Sequence, residues 1–176
     1  MKTRWMALAV CLAACEPTTR PPLDSPSVPA EALDPAALRA LSPGADTGGI
    51  VYVSTYGGPA TSTRHLGFTI TLTVHNTSLD RELHVPSIMY VDREGAPQRA
   101  FLSEPLRLGP LAAKNFSLQP KTYAEGNGAA FLVKWEGPEG IPNPLIEALM
   151  LTTEGQQGIS FITRGQEVER LSPPAT

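Results

Sequence analysis

The stretch Phe68-Thr69-Ile70-Thr71-Leu72-Thr73-Val74-His75 alternates strictly between apolar and polar residues. Successive side chains of an extended strand point to opposite faces, so Phe68, Ile70, Leu72 and Val74 share one face and three threonines share the other. A helix would scatter these residues around its circumference, and a loop would have no reason to alternate. The segment is therefore predicted to be a half-buried β-strand, and any fold proposed for the chain must provide a sheet with one face on a core. Asn76-Thr77-Ser78-Leu79-Asp80 follows it with turn chemistry, because these short polar side chains hydrogen-bond their own backbone.

Similar segments recur at intervals of roughly ten residues, the spacing of a sandwich or a barrel. They are Ile50 to Thr55, Leu83 to Asp92, Pro97 to Leu102, Leu106 to Leu108, Lys114 to Gln119, Ala129 to Trp135, Leu145 to Thr152 and Ile159 to Arg164. Between most of them lie turn residues such as Arg93-Glu94-Gly95, Gly109-Pro110, Gly126-Asn127-Gly128, Asn143-Pro144 and Gly155 to Gly158. Pro86 interrupts one candidate strand, where it removes a ladder donor and implies an edge or a bulge. Leu145 to Leu151 is made of good helix formers behind Asn143-Pro144, yet it is short and ends in Thr152-Thr153, so the strand reading is preferred. The fold class expected is all-β: a single antiparallel β-sandwich of immunoglobulin type over residues 48–169. A small barrel satisfies the same spacing.

The N-terminus is of a different kind. Lys2 and Arg4 precede an apolar run from Trp5 to Leu12, the layout of a secretory signal. Only about ten apolar residues lie between Arg4 and Glu16, whereas a membrane span needs about twenty. Leu12-Ala13-Ala14-Cys15 closes the run and resembles the lipobox of bacterial lipoproteins. That resemblance implies cleavage of a signal peptide over residues 1–14, a diacylglycerol thioether on the Cys15 sulfur, and usually acylation of the new amino group. Each buried CH2 contributes about 0.8 kcal/mol, so two or three acyl chains anchor a protein stably where one does not. Cys11 would leave with the signal and Cys15 would be alkylated, so the folded part is expected to hold together without a disulfide. Glu16 stands where lipoprotein sorting would read an aspartate as inner-membrane retention, and the expected location is the outer membrane, facing the periplasm.

Residues 15–47 are dominated by Pro, Ala, Ser, Thr and Asp, including Pro17, Pro21, Pro22, Pro26, Pro29, Pro35 and Pro43. Such a stretch buries too little apolar surface to offset its ordering entropy and reads as a disordered tether, reaching about 3.1 Å per residue where it adopts polyproline geometry. Within it, Ala32, Leu33, Ala36, Ala37, Leu38 and Leu41 have helical spacing, so Pro29 to Leu41 is a candidate short helix. Residues 170–176 are expected to form a disordered tail.

Loss of Lys2 and Arg4 with the signal leaves 12 basic against 17 acidic side chains, a formal balance of −5. A mildly acidic chain without a basic stripe is not built for DNA or RNA, and no nucleic-acid partner is expected.

From Ile50 to Val168 the sequence resembles the bacterial family known as domain of unknown function 3124. The resemblance is carried by Val51-Tyr52-Val53, Ile70 to Thr77, Asp92-Arg93-Glu94-Gly95, Pro105-Leu106 with Pro110-Leu111-Ala112, Gly126 to Phe131, Val133-Lys134-Trp135, Pro144 to Met150, and Gln157 to Phe161. It implies one folded domain in an exported or lipidated protein, and it brings no catalytic residues.

Candidate chemistry is sparse. His75 ends one predicted strand and His84 begins the next, so a hairpin centred on Leu79-Asp80 would set the two imidazoles face to face, with Asp80 or Glu82 near, as candidate zinc or copper ligands. Structural zinc takes four protein ligands and catalytic zinc about three, so two histidines beside a loop are more simply solvated side chains, and no metal or other cofactor is expected. Glu147 shares a strand face with Leu145, Leu149 and Leu151; if that face is buried, the carboxylate needs a partner such as Lys134 or Arg164 on a neighbouring strand. Ser87 and Ser160 lack a Gly-x-Ser-x-Gly elbow, and the short Gly-containing turns are wrongly placed for phosphate loops. Trp135, Tyr90, Tyr52 and Tyr56 are candidates for a ligand patch, although Trp135 on an apolar strand reads as core. The expectation is a non-enzymatic interaction module with the membrane as partner through Cys15 and an envelope protein as a further one. The alternative is a small-ligand or metal-binding accessory protein using His75, His84 and Glu147.

Overall fold

The computed structural model describes residues 37–56, 60–61, 64–65, 68–118, 127–153 and 158–173. The expected signal peptide, Cys15, the tether up to residue 36, Gly126 and the turn residues 154–157 lie outside the described residues.

Twelve strands are described: β1 (Thr47–Tyr56), β2 (Ala60–Thr61), β3 (Arg64–His65), β4 (Thr69–His75), β5 (Leu83–Val91), β6 (Pro97–Ala100), β7 (Leu106–Leu108), β8 (Ala113–Leu118), β9 (Asn127–Gly137), β10 (Leu145–Thr152), β11 (Ile159–Arg164) and β12 (Gln166–Leu171). Apart from a β2–β3 ribbon they form two antiparallel sheets. One runs β12-β1-β9-β5-β6, with β7 also paired to β5; the other runs β11-β10-β4-β8. Packed together, these make the all-β sandwich that the spacing predicts. The relation of the central strands is that of an immunoglobulin sandwich: β4 pairs with β8 in one sheet, β5 with β9 in the other, and the intervening connections cross between sheets. The flanking strands depart from the expected immunoglobulin type: β10, which follows β9, lies beside β4 in the other sheet, and β1 lies beside β9.

Alternation sets the inward faces. Phe68, Ile70, Leu72 and Val74 are all buried, as the Thr-rich pattern requires. Strand β5 is instructive because its alternation slips. Leu83 and Val85 point to the core, and then Ile88 and Tyr90 do; the register against β9 shifts between His84 and Ser87. The shift falls on Pro86, which cannot donate to the ladder, so the proline sits at a bulge that returns apolar residues to the inner face. On its other side β5 pairs with β7 before this point and with β6 after it.

Between the sheets lies an apolar core that includes Val53, Leu72, Ile88, Phe131, Val133 and Trp135. The ring of Phe101 meets Phe131 at 5.4 Å and Phe116 at 6.2 Å, edge-on in both cases, the geometry aromatic quadrupoles favour. Trp135 and Tyr90 are buried here while Tyr52 and Tyr56 remain exposed, so these four do not assemble into a ligand patch.

Both expected ends of the domain are revised by packing. Ala37–Arg39 form a 3-10 turn within the candidate helix, and residues 37–46, expected at the end of the tether, lie on the outer face of the six-stranded sheet with Leu38 buried. At the other end, Arg170 and Leu171, expected in the tail, complete β12, and Leu171 is buried. The C-terminal end was not legible as core because β12 reads Gln-Glu-Val-Glu-Arg-Leu, the charged texture of an edge strand protected against adding further strands. Asn127 and Gly128, read as part of a hairpin turn, belong to β9, which lies in the opposite sheet from β8.

Candidate functional site

The two histidines do not face each other, and the hairpin expected between them is corrected. His75 ends β4 in the four-stranded sheet, aligned with Leu145 and Ala113. His84 lies on β5 in the six-stranded sheet, aligned with Glu136 and Arg107. Residues 76–82 are a crossover between sheets rather than a hairpin turn, and Asn76 makes that crossover possible. Its fully enclosed side chain donates from Nδ2 to the carbonyls of Arg81 (2.7 Å), Leu108 (2.9 Å) and Gly109 (2.9 Å), and its Oδ1 accepts the Ser78 amide at 2.9 Å. Backbone between the two sheets is thereby hydrogen-bonded, the Gly109 carbonyl accepting the Ala112 amide as well. Turn residues are legible in a sequence, but whether a turn returns to its own sheet or crosses to another is not.

His84 instead joins an exposed polar group. Its Nε2 lies 2.9 Å from Glu82 Oε1 and 2.9 Å from an Arg107 guanidinium nitrogen, which in turn donates to Glu82 Oε1 at 2.8 Å. Hydrogen bonds from Arg107, then from His84, hold the Glu82 carboxyl below the usual carboxylate range. Among the described residues no three His, Cys, Asp or Glu side chains converge on a point where a metal could be held.

Glu147 lies on the outer face of the four-stranded sheet, because the inward residues of β10 are Ile146, Ala148, Met150 and Thr152. The face it shares with Leu145, Leu149 and Leu151 is solvent-facing, so the concern about a buried carboxylate falls away. Of the two partners expected for it, Arg164 is the one observed, at 2.9 Å.

Lys134 is bound elsewhere, in an arrangement that sequence reasoning missed. On β9 the residues Phe131, Val133 and Trp135 face the core, which puts Lys134 and Glu136 on the opposite face. That face is covered. Lys134 Nζ and Glu136 Oε1 are 2.9 Å apart, with side chains only 6% and 1% exposed. Glu136 Oε1 also accepts the Ser42 amide at 2.9 Å, and Lys134 donates to the Ala40 carbonyl. Around them a second apolar cluster joins Leu38, Ile50, Met89, Val91, Ala130 and Leu171, with Leu41 and Leu132 packed against it. Gly48 permits the close approach, since a Cβ there would stand 2.5 Å from the Trp135 carbonyl oxygen, 3.0 Å from Leu41 and 3.2 Å from Glu136 Cγ. The polar chemistry of this site is spent on holding main chain. A charged pair that reads an amide and a carbonyl fixes a segment in place.

A crystal structure titled "Crystal Structure of Thermotoga maritima 1070" is similar at a TM-score of 0.40 and 12% identity, over 67% of this chain and 92% of that one. No match was found among curated proteins. The family described as "Protein of unknown function (DUF3124)" matches residues 48–168, from the second residue of β1 to the middle of β12, and the chain belongs to that family.

Proposed function

We propose that the chain is an exported lipoprotein, anchored through an acylated Cys15 in the outer membrane and facing the periplasm, whose sandwich serves as a non-enzymatic interaction module. The observation that carries this reading is Leu12-Ala13-Ala14-Cys15 behind Lys2, Arg4 and an apolar run too short to span a bilayer. The second half is supported by the buried polar groups: Asn76 Nδ2 bonds backbone carbonyls, and Lys134 Nζ and Glu136 Oε1 bond backbone and each other, as structural groups do. Interaction with an envelope protein through the sandwich surface then gives the domain its role, at a distance from the lipid set by the residues after Cys15.

The anchor is tested by expressing the full chain and a Cys15→Ser variant in a bacterium with two membranes and separating membranes by density. The wild-type chain is expected in the outer-membrane fraction and the variant in the soluble periplasmic fraction. A variant that stays with the membranes as completely as the wild type overturns the lipid anchor.

A further inference from the structure

The segment Ala37–Asp46 is held to the domain by scattered bonds and not by a strand ladder. Among the described residues it joins no sheet, and its hold on β9 is the Asp46 amide on the Gly137 carbonyl, the Ser42 amide on Glu136 and the Ala40 carbonyl on Lys134. Its apolar contribution is Leu38 and Leu41, and these pack into a cluster that shares no residue with the core between the sheets. The six-stranded sheet separates the two clusters, so loss of one leaves the packing of the other intact.

Direction matters as well. Ser42 lies at Glu136, level with Gly48 on β1, and Ala40 at Lys134, level with Ile50. The segment therefore runs antiparallel to β1 across the outer face and turns back at residues 42–45, where the Ala45 amide bonds the Ser42 carbonyl at 3.1 Å. A load arriving from residue 36 meets Leu38 and the exposed Arg39–Glu169 pair first, then Ala40, then Ser42. Contacts met one after another peel in sequence at low force, whereas contacts loaded together would have to break at once. β1 is held on both sides, by β12 and β9, and stops the peeling at Thr47.

We infer that Ala37–Asp46 is a releasable strap, which lifts from the outer face of the six-stranded sheet as a unit while the sandwich stays folded, uncovering Ile50, Met89, Val91 and Leu171 beside the Lys134–Glu136 pair. Its use as a coupling between tether and domain rests on the reading of Cys15 as the anchored end; the opening itself does not. Glu136 Oε2, buried with no hydrogen-bond partner among the described residues, fits this role, because a carboxylate left half satisfied holds the closed form less firmly than a fully bonded one.

The two buried methionines provide the test. Met89 lies under the strap and Met150 in the core between the sheets, and both are shielded in the closed form. The full chain carrying Cys15→Ser, which removes the anchor from the question, is treated with dilute hydrogen peroxide, and sulfoxide at each methionine is followed by mass spectrometry. Local opening predicts that Met89 oxidises faster than Met150, and that Leu38→Ala speeds Met89 further while leaving Met150 unchanged. In parallel, amide exchange at Ser42 should proceed with weaker urea dependence than at Phe131 and Val133 in the central strand. Met89 oxidising no faster than Met150, or Ser42 exchanging with the same urea dependence as Phe131, overturns the strap. Either result leaves the membrane partitioning of the wild-type chain, and so the anchor, untouched.

Discussion

Lys134 and Glu136 stand two residues apart on one strand and form an ion pair at 2.9 Å that is almost entirely withdrawn from solvent beneath residues 37–42. Breaking a buried pair by removing one partner leaves the other charge uncompensated, at a cost of about 3–5 kcal/mol, whereas replacing both by apolar residues of similar size is often neutral. We predict that Lys134→Ala and Glu136→Ala each lower the unfolding free energy by about 3 kcal/mol or more, and that the double variant Lys134→Met/Glu136→Leu loses less than either alone. Urea unfolding followed by tryptophan fluorescence reads both. Single variants within 1 kcal/mol of wild type would show that the pair contributes nothing.

Asn76 is expected to be the most sensitive polar position of the crossover. Replacement by alanine takes Asn76 away from the Arg81 and Leu108 carbonyls and the Ser78 amide, while the Gly109 carbonyl keeps the Ala112 amide, which should cost about 2–4 kcal/mol. Asn76→Asp should be worse at neutral pH: it keeps an acceptor for Ser78 but turns a second oxygen toward three carbonyls. Thermal melts of the two variants decide the order, and an aspartate variant more stable than the alanine one at pH 7 contradicts it.

Glu82 gives the fold a pH-dependent contribution with a definite sign. Its carboxyl is held below the usual carboxylate range by Arg107 and then His84, so its folded-state affinity for protons is lower than in the unfolded chain. The stabilisation is therefore present above the unfolded value and is lost as pH falls through the lowered folded one. The group is exposed and the effect small. We predict that Glu82→Gln is slightly less stable than wild type at pH 7 and that the gap closes under acid conditions. A gap that stays constant from neutral to acid pH contradicts the assignment.

Gly165 is the corner at which the chain leaves one sheet for the other, between β11 and β12. Its amide bonds the Ile146 carbonyl at 2.8 Å. A Cβ there would collide with the Val51 side chain and come within 3.1 Å of the Ile146 carbonyl and of Val53 Cγ2. Neither backbone nor core valines move cheaply, so Gly165→Ala should cost about 1–3 kcal/mol, as overpacking does elsewhere. A chemical-denaturation midpoint unchanged by this substitution would show that the corner has room to spare.

The sequence by itself determined that this chain is an all-β sandwich, and how closely it did so varies along the chain. Period-2 alternation places Ile70, Leu72 and Val74 on one face whatever surrounds them, and Pro86 cannot occupy an unbroken ladder, so both features were legible locally. Tertiary structure decided what alternation leaves open. A strand pattern says which side chains share a face, but neither which face is inward nor which strand lies alongside, because those depend on partners far away in the chain. Hence Glu147 turned out to face solvent and Arg164, His75 and His84 came to lie in separate sheets, and Lys134 and Glu136, which alternation would leave in water, were enclosed by a segment almost a hundred residues earlier. Leu38 and Leu41 were visible as a short apolar spacing; that they close over this ion pair is a fact of the assembled sheet, since only the paired strands create the surface they cover.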